Sequence, residues 1–169
     1  MSEHNQDTGG SMLDAQHMQF SSNLSGSVPA VFVVARYLHY RGFTVEVPGF
    51  RLAPKAKLHR QYSDRGDIIV EKGIIEVKGL SVNFTDNPKS WPFGDEVIVS
   101  STKNLKAKWN KLYLVISVSA DLNYACIVPA DTKEDWYPGK TNNTNTKIKF
   151  PVLNVRKDLC SFDALNILP

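Results

Sequence analysis

The chain has little cysteine: Cys126 and Cys160 are the only two in 169 residues. That is too few for a disulfide framework, and their separation is wrong for the close pairs of a zinc site. Both are expected as ordinary buried or half-buried thiols in a reducing cytoplasm. No apolar run approaches the roughly 18 residues that cross a bilayer, so no membrane association is expected. The N-terminus lacks a basic-then-apolar pattern, and no secretory signal is expected. Without secretion, the glycosylation patterns beginning at Asn23, Asn83 and Asn142 carry no meaning. Neither a Gly-x-x-x-x-Gly-Lys loop nor a Gly-x-Gly-x-x-Gly turn is present, which removes two familiar backbone cradles for nucleotide phosphates. The four histidines, His4, His17, His39 and His59, show no ligand spacing. The length leaves no room for a TIM barrel of about 250 residues and suits one domain.

What is present is a 42% hydrophobic composition, enough for a packed core, arranged in short segments. Residues 1–27, rich in Ser, Gly, Asn and Gln, are expected as a polar arm, and residues 28–169 as a single domain. Val28 to Arg41 has apolar residues at helical spacing, with Ser27 to cap it, Pro29 in the first turn and Gly42 after the end. Phe43 to Val47 is expected as a strand, and residues 51–65 as a polar connection. Residues 67–70 and 74–79 flank Glu71-Lys72-Gly73 and predict a β-hairpin. Further on come a strand from Glu96 to Ser100 and a helix from Ser101 or Thr102 to about Asn110, with Leu105 and Trp109 inward. Strands from Leu112 to Ser119 and from Tyr124 to Val128 follow. Residues 131–147 read as loop, 150–155 as an edge strand, and a short helix is expected from Ser161. The whole is α/β, a central mixed sheet flanked by helices.

Three ionisable residues stand out in the hairpin. Glu76 and Lys78 are two apart on one strand and share a face, while Ile75 and Val77 point to the other. Asp67 lies on the partner strand. A register with Val70 opposite Gly73 sets Asp67 against Glu76. A register with Glu71 opposite Ile74 sets it against Lys78, and the register between these turns Asp67 away. In the first two, opposed side chains approach to about 5 Å. Carboxylates held so close repel, and a raised pKa or a bound cation relieves them. Hard cations such as Mg2+ are bound through one or two carboxylates, water and substrate phosphate. A neighbouring lysine can orient a water or stabilise charge growing on a phosphate. The trio therefore suits metal-dependent phosphodiester hydrolysis.

Gly66-Asp67, an eight-residue gap and Glu76-Val77-Lys78 resemble the motif of the PD-(D/E)XK nuclease superfamily. The order of a helix, the motif hairpin, a further helix and more strands is similar too, over residues 28–130. The resemblance implies a restriction-endonuclease-like core. It implies Asp67, Glu76 and the main-chain carbonyl of Val77 as metal ligands, and Lys78 as a catalytic residue. Gly66 stands where the nominal proline would. The first helix carries no glutamate, and Glu46 on the following segment is the nearest substitute, so the number of metals stays open.

The chain's formal charge of +3 is unevenly spread. Residues 51–65 hold five cations against Asp64 alone, and residues 101–111 hold four lysines and no acid, so these stretches carry +8 and the remainder −5. Clusters of this kind bind phosphate backbones by counterion release. Lys57 and Arg60 in the first, and Lys103 and Lys106 in the second, are the expected nucleic-acid contacts. His59 and Tyr62 could add to the first. Trp91 and Phe93 fit either a cover over the site or an anchor for their loop.

The reading is a Mg2+-dependent endonuclease acting on DNA, with Mn2+ as a substitute cation. It is expected in the cytoplasm, a host's if viral, since small proteins of this type are frequent in phages and mobile elements. Cutting both strands at once would call for a homodimer. Its rivals are a catalytically inactive nucleic-acid- or protein-binding protein on the same fold, and an interaction protein whose hairpin acids are surface decoration.

Overall fold

A computed structural model describes residues 28–48, 67–142 and 149–166. The expected N-terminal arm and the basic connection bearing Lys57, His59, Arg60 and Tyr62 lie outside the described residues.

The first helix, α1, covers residues 28–40. It closes where the sequence places Gly42, whose φ of +88° suits a residue without a Cβ. There the N–H groups of Gly42 and Phe43 return to the carbonyls of His39 and Leu38 at 2.9 and 3.1 Å, a Schellman turn. The segment after it forms no full strand. Glu46 alone makes an isolated bridge to Ile69, exchanging backbone hydrogen bonds of 2.9 and 2.8 Å.

Strands β1 (Ile68–Val70) and β2 (Gly73–Gly79) make the hairpin. Strand β3 is Glu96–Ser101, helix α2 is Thr102–Lys108, and strands β4 (Leu112–Val118) and β5 (Tyr124–Pro129) follow. Then come β6 (Tyr137–Asn142), β7 (Lys149–Arg156) and β8 (Ser161–Ala164). The five-stranded sheet has the order β1-β2-β4-β5-β8, with β2 and β4 parallel and its other pairs antiparallel. A three-stranded antiparallel sheet has the order β3-β7-β6. The fold is mixed α/β, as expected.

The nearly unbroken apolar run of β4 befits a central strand covered on both faces. On one face, Ala30, Val34, Ala35 and Leu38 of α1 pack over Ile75, Val77, Ile116 and Val118. Tyr37 ties the helix to the sheet's far edge, its hydroxyl donating to Asp163 at 2.5 Å, while Arg41 pairs with the same carboxylate at 2.8 Å. On the other face, Val115, Cys126 and Val128 meet Val97, Val99 and Val155 of the second sheet and Leu105 of α2. Both cysteines are free, Cys126 buried and Cys160 half-buried.

Four further local readings are corrected. Residues 131–147 include a 3-10 turn (Ala130–Asp135) and strand β6. β7 is the middle of its sheet rather than an edge, because β6 pairs along it. The segment from Ser161 is strand β8, drawn out by pairing with β5. Trp109 remains 36% exposed instead of facing inward, since α2 ends at Lys108 and the ring lies edge-on to Trp136 at 5.7 Å.

Candidate active site

The hairpin register decides where the acids go. Ile68 faces Ile75 and Val70 faces Gly73, the register that carries Asp67 to a position opposite Glu76. Gly73 makes this tight turn possible. Its φ is +139°, and a Cβ there would lie 2.3 Å from the Lys111 carbonyl oxygen, which accepts from Ile74 N–H at 2.7 Å. Strand β1 begins at Ile68, and just before it the Asp67 carboxylate accepts the Val77 N–H at 2.7 Å. A strand-end carboxylate thus replaces the next backbone acceptor.

Ile75 and Val77 enter the core beneath α1, so Glu76 and Lys78 point to the opposite face. Glu76 lies beside Val115 on β4, and Lys78 beside Ser117, which is 3% exposed. Lys78 is itself half-buried. Burial pushes its ammonium down from 10.5 to about 8, and the nearby Glu76 and Asp67 carboxylates act against that shift. Both carboxylates thus act on Lys78.

A fourth residue enters from α2. Lys108 Nζ donates to Glu76 Oε1, with the two side chains 14% and 12% exposed. The sequence reading counted Lys108 only as one of the basic residues of its stretch. The missed signal was periodicity: Lys108 lies three residues after the buried Leu105, on the same inward side of the helix. Lys103 and Lys106 are exposed, on the side away from the core. Ser101 caps the helix, its hydroxyl accepting the Asn104 N–H at 3.2 Å.

Among the described residues, no group of three or more His, Cys, Asp or Glu side chains is placed to hold a metal. Glu46 is exposed and bridges to Ile69, two residues along the chain from Asp67. The oxygen donors this hairpin would offer a cation are the two carboxylates and the Val77 carbonyl. That set fits Mg2+, which commonly takes one or two carboxylates and fills its remaining positions with water and phosphate. The Val77 N–H bond uses one of about four lone-pair sites on the Asp67 carboxylate, which does not prevent ligation.

The aromatic pair of the preceding loop divides. Trp91 is buried, donates from its indole nitrogen to the Glu96 carbonyl at 3.0 Å, and meets Phe84 and Phe162 edge-on. It anchors the loop. Phe93 rests against Trp91 and stays 54% exposed.

Comparison with family models, with curated proteins and with solved structures finds no match to this chain. Among the described residues, no helix is long and apolar enough to cross a membrane.

Proposed function

We propose that the protein is a Mg2+-dependent nuclease that hydrolyses DNA phosphodiester bonds, a member of the PD-(D/E)XK type with Asp67, Glu76 and Lys78 as its working residues. The observation that carries this reading is the hairpin register, which sets both carboxylates and the lysine on one side of β2. The order of helix, motif hairpin, helix and further strands supports it as well.

In this reading Asp67, Glu76 and the Val77 carbonyl hold the cation. A bound Mg2+ would supply Lewis-acid polarisation of the phosphoryl group and a lowered pKa for a coordinated water. Lys78 holds a proton whose pKa lies close to neutrality, so its ammonium can orient a water or neutralise charge growing on the phosphate. Exposed Lys103 and Lys106 hold the nucleic-acid backbone.

The test is incubation with supercoiled plasmid, linear duplex and single-stranded DNA in Mg2+, Mn2+ or EDTA, beside Glu76→Ala and Lys78→Ala. The expected result is cleavage in either cation, none in EDTA, and a loss of about 100-fold or more in each variant. Intact substrates under every condition would remove the nuclease reading. Salt-sensitive binding without turnover would establish the inactive binding protein in its place.

A further inference from the structure

The pairing of Lys108 with Glu76 goes deeper than the motif. Burying an ammonium on a long flexible stem sacrifices hydration and rotamer freedom, and proteins do it chiefly where the charge is paired. Helix α2 keeps Lys103 and Lys106 in solvent but turns Lys108 inward, where its Nζ donates to Glu76 Oε1. Both members of this pair are largely withdrawn from water, so their interaction is weakly screened.

We propose that Lys108 is the resident counter-cation of Glu76, against which a divalent ion has to compete, and that it thereby lowers the metal affinity of the site. This rests on the metal-site reading above and adds a competitor to it. Mg2+ binds carboxylate oxygen at about 2.0–2.1 Å, inside the distance at which an ammonium donates to the same atom. Glu76 has a second oxygen to offer, but an ammonium and a divalent ion on one carboxylate repel each other. The charges beside the pair act in the same sense. Lys78 and Lys108 both lie beside these carboxylates, so an incoming divalent ion meets their repulsion as well as the carboxylates' attraction. Lys78 is fixed on the strand that bears Glu76, whereas Lys108 reaches in from the last turn of a short helix. Of the two, Lys108 is the one drawn into a direct ion pair with Glu76. It is a positioning residue, acting through Glu76.

Calorimetric titration of the full chain with MnCl2 at neutral pH tests this directly, using wild type, Lys108→Arg, Lys108→Met, Glu76→Gln and Asp67→Asn. Circular dichroism checks that each variant is folded, and Lys108→Gln replaces Lys108→Met if the latter is not. The neutral variant is expected to bind Mn2+ about tenfold more tightly than wild type, with Lys108→Arg close to wild type and the carboxylate variants weakened. Mn2+ binding by wild type that is lost in Glu76→Gln but no tighter in Lys108→Met would overturn the counter-cation role, leaving Lys108 a pin for α2 and the nuclease reading intact. Absence of Mn2+ binding in every protein, or binding that survives in both carboxylate variants, would overturn the metal site and this role together.

Discussion

Two lysines converge on one carboxylate pair, and their surroundings give them different work. Lys108 is matched by a direct ion pair, whereas Lys78 sits on β2 among strand neighbours that remove water from it. Its ammonium has a pKa of about 8 in the folded protein and the ordinary 10.5 in the unfolded chain. Between those values the unfolded chain binds more protons, so this residue makes the metal-free protein more stable as pH rises. Below pH 8 the ammonium is charged in both states, and the folded state bears the whole penalty, up to about 3 kcal/mol. Lys78→Met in EDTA should therefore gain stability over wild type at pH 7, by more than at pH 10. Urea denaturation of both proteins at pH 7, 8.5 and 10 measures this. A difference that stays constant with pH would show that Lys78 carries no desolvation penalty.

The hairpin turn makes an element-scale prediction. Gly73→Ala would have to fit a Cβ against the Lys111 backbone at a φ that L-residues rarely adopt. It is expected to cost about 2–4 kcal/mol and to loosen the register that aligns Asp67 with Glu76. Denaturant midpoints read the first effect, and metal affinity reads the second. This hairpin was legible in the sequence because turn chemistry and alternation agree there. α1 and α2 were legible for similar reasons: Pro29 and Gly42 bracket one, and Ser101 caps the other. The second sheet was not. Tyr137–Asn142 contains Pro138 and Gly139, which locally favour a turn, and it becomes a strand only by pairing along β7. Ser161–Ala164 offers a serine that could cap a helix, yet pairing with β5 extends it. The same limit applied at the site. Spacing along one strand shows that Glu76 and Lys78 share a face, but it cannot show that a lysine 32 residues later closes on that face.

For the whole molecule, the decisive quantity is where the charge lies. A chain of formal charge +3 carries +8 in residues 51–65 and 101–111. The described part of that charge is arranged by α2, which offers Lys103 and Lys106 to solvent while Lys108 enters the site. One short helix thus joins the exposed cations to the carboxylates, and a polyanion held by the first would lie close to the second. Each phosphate contact releases counterions, so the logarithm of DNA affinity should fall linearly with the logarithm of salt, by about 0.9 per contact on duplex. Lys103→Ala with Lys106→Ala should reduce that slope by about 2 and weaken binding to all duplex sequences alike. Mn2+ affinity should be unchanged, because neither side chain pairs with Asp67 or Glu76. Fluorescence anisotropy on a labelled duplex across a salt series measures the slope. An unchanged slope would mean that this helix face is simply solvated.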